Sequence, residues 1–252
     1  MEKKELKKTV KKVKNKTAVK KIAKEHKDIE KLLPSAEEML KQGVHFGHQT
    51  SRWNAKMKPY IFTVRNNVHI LDLEKARGEF KKALEYFQKV KEKKGIILFV
   101  GTKVAASEII RESAEKCGMP YVNKRWIGGT LTNFKVISKR LEHFRDLEEK
   151  KEKGELKKYT KKEQHEFNLE LQKLERQFGG LKKITKLPDA LLVIDTHKEK
   201  LSIKEARKRG IPVVGLCDSN ANPTLVDYPI PGNDDAISSL KLILETIVKV
   251  LK

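Results

Sequence analysis

The sequence predicts an α/β protein: a doubly wound, mainly parallel sheet with an antiparallel coiled-coil helical hairpin protruding from it. Three observations carry this. Ile96–Val100 and Ala190–Ile194 are continuous apolar runs, as strands buried on both faces should be. Helix-period segments follow such runs, so strand and helix alternate. Residues 139–186 break the alternation with helical stripes and no strand signal.

Taken in order, residues 1–33 carry 13 Lys and 5 acids, a net of +8, with no Arg, Gly or Pro. A transit peptide would be Arg-rich and a secretory signal apolar at its centre, so neither is expected. Residues 1–34 read as a Lys-rich arm, unstructured when free and helical when docked, or else as a solubilising tail. Ser35 and Glu38 form a capping box that starts a short helix ending at Gly43. A polar loop runs through Arg52–Pro59. Strands are expected at Tyr60–Val64 and Val68–Leu71 around the turn Arg65-Asn66-Asn67. Phe80, Leu84, Phe87 and Val90 mark a helix over 73–93.

The sheet domain is expected to comprise 35–138 and 187–252. Ile96–Val100 leads through Gly101-Thr102 into a helix to Lys116, and Ala190–Ile194 into a helix over 199–209. Pro212 precedes the strand Val213–Leu216, where a missing N–H costs little. A Pro- and Asn-rich loop reaches Asp227–Ile230, and a helix closes the chain from Asp234 to Lys252. In the hairpin, Ile137, Leu141, Phe144 and Leu147 mark one stripe, and Gly154 a turn. Thr160 and Glu163 then cap a second helix, in which Phe167, Leu171, Leu174, Phe178 and Leu181 step at coiled-coil spacing.

Composition narrows the function. The 252 residues hold 56 Lys and Arg against 34 Asp and Glu, a formal net charge of +22. Such an excess points to a polyanionic partner, by default nucleic acid. No apolar stretch is long enough to span a bilayer, so no membrane association is expected. Two distant cysteines, Cys117 and Cys217, form neither a disulfide framework nor a zinc pattern and fit a reducing cytosol.

Enzyme signatures are largely absent: there is no G-x-G-x-x-G, phosphate-loop or G-x-S-x-G motif. Gly101-Thr102-Lys103 meets a helix N-terminus, a weak anion signal that reads better as an ordinary cap. His45-x-x-His48 is half a metal pattern, and no neighbouring Cys or acid completes it. Asp195, His197 and Asp218 lie past the ends of two neighbouring expected strands, where such sheets place ligands. They are the second set of metal candidates, and the two aspartates are equally explained as caps. No cofactor and no metal are expected. An enzyme or nucleotide-binding protein built on this fold is the alternative reading.

Two loops interleave cations with an indole. In the first, Arg52, Lys56 and Lys58 flank Trp53; in the second, Lys124 and Arg125 precede Trp126, Gly128-Gly129, Thr130, Thr132 and Asn133. Cations neutralise phosphates, and Arg and Trp planes stack on unpaired bases. Either indole could instead be a core anchor, and the hydroxyl and amide groups could cap the next helix.

These residues sit in longer motifs. Met39–Thr50, Trp53-Asn54, Lys56–Ile61, Arg65-Asn66 and His69-Ile70 occur in order. Phe99–Lys103, Arg125–Asn133, Leu187–Ala190 and Ile230–Ala236 follow. Together, from about Glu37 to Leu251, they resemble the ribosomal protein S-two family, bacterial in the form of the hairpin. The resemblance implies a flavodoxin- or Rossmann-like sheet domain. It also implies a structural, non-catalytic protein of the small ribosomal subunit, cytoplasmic and within the ribosome. Its partners would be small-subunit rRNA at the junction of head and body, and other small-subunit proteins including S-one. A homo-oligomer is not expected. The candidate RNA contacts are Arg52, Trp53, Lys56, Lys58, Arg65, Asn66, Lys103, Lys124, Arg125, Trp126, Thr130 and Asn133. Two departures stand out: the arm is longer than the family's usual start, and Asn222 stands where members often carry an acid.

Overall fold

The computed structural model describes residues 29–182 and 184–252. Most of the expected arm, 1–28, lies outside the described residues. Its last turn does not: Ile29 and Leu33 are buried in the core, so apolar burial carries the folded part back past Ser35.

Helix α1, Ala36–Lys41, has the expected capping box. Glu38 N–H donates to Ser35 Oγ at 3.1 Å, and Ser35 N–H to Glu38 Oε2 at 3.0 Å. A three-stranded antiparallel sheet follows, formed by β1 (Phe46–Gln49), β2 (Ile61–Arg65) and β3 (Val68–Leu71) in the order β1-β3-β2. Strand β1 is not among the expected elements, because His48 and Gln49 break any apolar alternation. It is a strand because it pairs with β3, Phe46 opposite Ile70. Asn66 and Asn67 turn β2 into β3 with φ of 49° and 60°, left-handed values that Asn tolerates. The loop before β2 winds into short 3-10 turns at Thr50–Arg52 and Ala55–Tyr60.

After helix α2 (Leu73–Glu92) the doubly wound domain begins. Its strands are β4 (Ile97–Val100), β5 (Tyr121–Val122), β6 (Ala190–Val193), β7 (Val213–Cys217) and β8 (Tyr228–Pro231). All pair in parallel, in the order β5-β4-β6-β7-β8. Numbered within this sheet that is the flavodoxin-like order, whose switch point falls between β4 and β6. Strand β8 lies where the sequence predicts only the end of a loop. Its Pro229 and Pro231 are tolerated because it is an edge strand, with β7 on one side alone.

Strand alternation sends side chains to two faces. Ile97, Phe99, Leu192, Val214 and Leu216 pack with α2, with α3 (Val104–Cys117) and with α7 (Ile237–Leu251). Leu98, Val100, Leu191, Val193 and Val213 pack with α6 (Lys200–Lys208), with Met57 and with Leu71 of β3, and with the hairpin.

The hairpin is α4 (Phe134–Glu152) and α5 (Lys161–Phe178), with Gly154 turning at φ 71°. The Thr160–Glu163 capping box starts α5. Ile137, Leu141, Phe144, Leu171, Leu174 and Phe178 are buried and continuous with the core under β4 and β5. Gly180 closes over the sheet edge: a Cβ there would collide with Tyr121 O.

Candidate nucleic-acid interface

The loop between β5 and α4 is held by one carboxylate. Glu205, buried on α6, accepts from Trp126 Nε1 at 3.2 Å and Gly129 N at 2.8 Å through Oε1. Its Oε2 accepts from Leu131 N at 3.0 Å and from Thr132 N and Oγ1, each at 3.2 Å. Burial pushes the Glu205 pKa up, but the N–H donors of Gly129, Leu131, Thr132 and Trp126 outweigh it and hold the carboxyl below its ordinary value. Arg209 Nε donates to Leu131 O at 3.0 Å, and its guanidinium also reaches Thr132 O. Gly129 adopts φ 93°, which a side chain would strain, whereas Gly128 lies in nearly open space beside Leu201.

This clamp sorts the expected contacts. Trp126 is 7% exposed with its N–H bonded to Glu205, so it anchors the loop in the core and leaves the RNA candidates. Thr130 leaves them too, being buried with its hydroxyl on Ile127 O at 2.6 Å. Asn133 is the N-cap of α4 but makes no side-chain cap bond. Lys124 and Arg125 are exposed, and among the described residues neither pairs with an acid.

Lys103 is likewise withdrawn from the candidates. Its ammonium lies 2.6 Å from both Asp234 Oδ1 and Asp235 Oδ1, and 3.9 Å from Asp195 Oδ2. Burial opposes the charge on Lys103, but Asp234 and Asp235 keep its pKa raised. Next to it, His48 Nδ1 is 2.9 Å from Asp218 Oδ2, and Nε2 is 3.5 Å from Asp235 Oδ2. The hydrogen bond to Asp218 outweighs burial and raises the His48 pKa. Asp234 is raised to about 7 by burial and by the charges of Asp218 and Asp195.

His48, Asp218, Asp234 and Asp235 bring ligand atoms within 4.8 Å of one another and are, among the described residues, the donor set that could hold a divalent cation. The candidates Asp195, His197 and Asp218 are not brought together as such a set. Only Asp218 is in the set; Asp195 faces Lys103, and His197 lines a cleft that His48 also borders without itself joining the donors. No acid lies near His48 in sequence; the fold delivers three from the far end of the chain.

Doubly wound sheets bind ligands beyond their strand ends, at the switch point. Here Thr102 N–H and Oγ1 both donate to Glu199, and Lys198 Nζ donates to Thr102 O at 3.1 Å. The protein's own carboxylate thus sits where a phosphate would be taken. Burial raises the Glu199 pKa in spite of the two bonds from Thr102.

Of the remaining candidates, Arg52, Lys56, Lys58, Arg65 and Asn66 are exposed and Trp53 is 42% exposed. Lys56 Nζ reaches Thr224 Oγ1 at 3.4 Å. Helix α6 serves both loops, because Glu205 clamps the loop of Lys124 and Arg125 while Lys200 lines a cleft with Arg52 and Trp53. Sequence reasoning misses Lys200 and Glu205; both read as ordinary members of a charged helix face.

Comparison with known proteins now decides the family. The profile of ribosomal protein S2 matches residues 39–252. The chain belongs to the ribosomal protein S2 family. It is 52% identical over 218 residues to the small ribosomal subunit protein uS2 of Idiomarina loihiensis, covering 86% of this chain and 90% of that one. The protein of the same name from Fusobacterium nucleatum is 49% identical over 86% of this chain and 88% of its own length. That from Roseiflexus is 49% identical over 85% and 82%. The family assignment bears out the expected resemblance, and the sheet order bears out the expected fold class.

Proposed function

We infer that this chain is a structural constituent of the small ribosomal subunit in the cytoplasm. It docks as a single copy on small-subunit rRNA at the junction of head and body, and helps to seat protein S-one. Its relatives are named as small ribosomal subunit proteins, and the family is structural, not enzymatic. The observation that carries the RNA reading is the loop of Lys124 and Arg125: two exposed cations with no acid partner among the described residues, on a backbone clamped by Glu205. Rigid presentation of charge lowers the ordering cost of binding. Arg52, Lys58 and Arg65 extend the positive surface. On the small sheet, Phe62 is 75% exposed and Val64 48%, an apolar patch available to a protein neighbour such as S-one. No helix among the described residues is long and apolar enough to cross a membrane.

The nucleotide-enzyme reading is disfavoured by Glu199, whose carboxylate occupies the switch-point turn. The test is assembly. A tagged chain expressed in bacteria should co-sediment with small subunits in a sucrose gradient and remain through a high-salt wash. A chain that stays at the top of the gradient would refute the reading. Subunits from cells depleted of the chain should also carry less S-one.

A further inference from the structure

The loop after β1 and the start of α6 enclose a second concave surface. It is a cleft of about 660 Å³ lined by Arg52, Trp53, His197, Lys200, Asn220 and Asn222. We propose that this cleft holds one unpaired nucleotide of single-stranded RNA, its base on Trp53 and its phosphate between Arg52 and Lys200. The proposal rests on the RNA-binding reading and sharpens it to a nucleotide class.

Four observations converge. First, Trp53 is 42% exposed, yet its ring is backed by that of the buried His69, 5.2 Å away between centroids. An exposed indole on a fixed support is a stacking platform. Second, Arg52 and Lys200 have no ion-pair partner among the described residues, and no acid lines the cleft with them. Third, Asn220 Oδ1 is buried and makes no hydrogen bond. Turned toward the cleft that Asn220 lines, that orphaned acceptor suits the N–H edge of a base. Fourth, Asn222 Oδ1 accepts from Thr224 N and Oγ1, which fixes the amide and leaves Nδ2 as a donor. Acceptor, donor, platform and cations are what an unstacked nucleotide requires. A duplex cannot supply one, because its bases are stacked and its edges paired. The volume lies within the roughly 300–1,000 Å³ of small-ligand pockets.

The test uses the full chain, a short single-stranded oligoribonucleotide and a blunt duplex of equal length, followed by tryptophan fluorescence. Trp126 is buried, so stacking quenches Trp53. The single strand should quench the wild type and the duplex should not. Trp53→Ala, and Arg52→Ala with Lys200→Ala, should each lower single-strand affinity about tenfold or more with unchanged melting. Trp53→Phe should lose the quench but keep most of the affinity, since a ring remains. If single strand and duplex bind alike and Trp53→Ala binds as wild type, the proposal falls while rRNA docking stands. If the wild type binds no RNA, both fall. If Trp53→Ala leaves RNA binding intact and instead loses a ribosomal protein from the assembled subunit, the cleft is a protein seat and the proposal is overturned.

Discussion

Trp126 donates its indole N–H to Glu205 Oε1 at 3.2 Å, across 79 positions of sequence. The same carboxylate accepts from three backbone N–H groups and one hydroxyl of the loop that carries Lys124 and Arg125. Helix α6 thereby sets the shape of a loop it is far from in sequence.

Glu205→Gln keeps the size but replaces one acceptor with an N–H₂ donor. On the Oε2 side, Leu131 N, Thr132 N and Thr132 Oγ1 would face that donor. Stability should fall by about 2–4 kcal/mol, the range for several buried donors left unpaired. Urea unfolding at neutral pH measures it.

The same pair of proteins reports on pH. The Glu205 pKa is depressed in the folded state. Its stabilising contribution is therefore fully present above about pH 4.3, the unfolded Glu value, and is lost as pH falls through the lower folded value. The gap in urea midpoint between wild type and Glu205→Gln should be constant near neutrality and shrink below that pH. A gap that widens in acid would contradict the clamp.

The two tryptophans should behave oppositely. Trp126 is buried and bonded, so Trp126→Ala should cost about 3–5 kcal/mol and lower the melting temperature sharply. Trp53 is 42% exposed, so Trp53→Ala should shift melting little. Calorimetry of the two variants separates them.

Lys124→Ala with Arg125→Ala should leave stability within about 0.5 kcal/mol, because both side chains are exposed and have no acid partner among the described residues. RNA binding should weaken, and the slope of log affinity against log salt should become shallower by about 2, one for each phosphate no longer neutralised. In competition with wild type the double variant should be under-represented in assembled subunits.

The hairpin should divide into a dispensable tip and a required base. Replacing 150–163 with a short turn should preserve cooperative melting. Removing 139–186 takes Leu141, Phe144, Leu174 and Phe178 from the core shared with Leu98 and Val122. Each large buried side chain removed costs about 2–5 kcal/mol, so the longer deletion should melt broadly or not fold.

The sequence by itself determined the elements whose signals are local. Apolar runs marked β4, β6 and β7, and helical stripes marked α2 and the hairpin. Ser35–Glu38 and Thr160–Glu163 marked two helix starts to the residue. Its ordered motifs also sufficed to point to the family. Hydrophobic period and caps act over a few residues, so they can be read without the fold. Only the tertiary structure decided β1 and β8, which are strands by virtue of their partners and carry no alternation of their own. It alone turned Lys103 inward to Asp234, placed Asp218, Asp234 and Asp235 around His48, and chose core over surface for Trp126. The physical reason is common to all of these. A charge or an indole is neutral in its local preference, and its role depends on which groups, tens or hundreds of residues away, desolvate it and complete its hydrogen bonds.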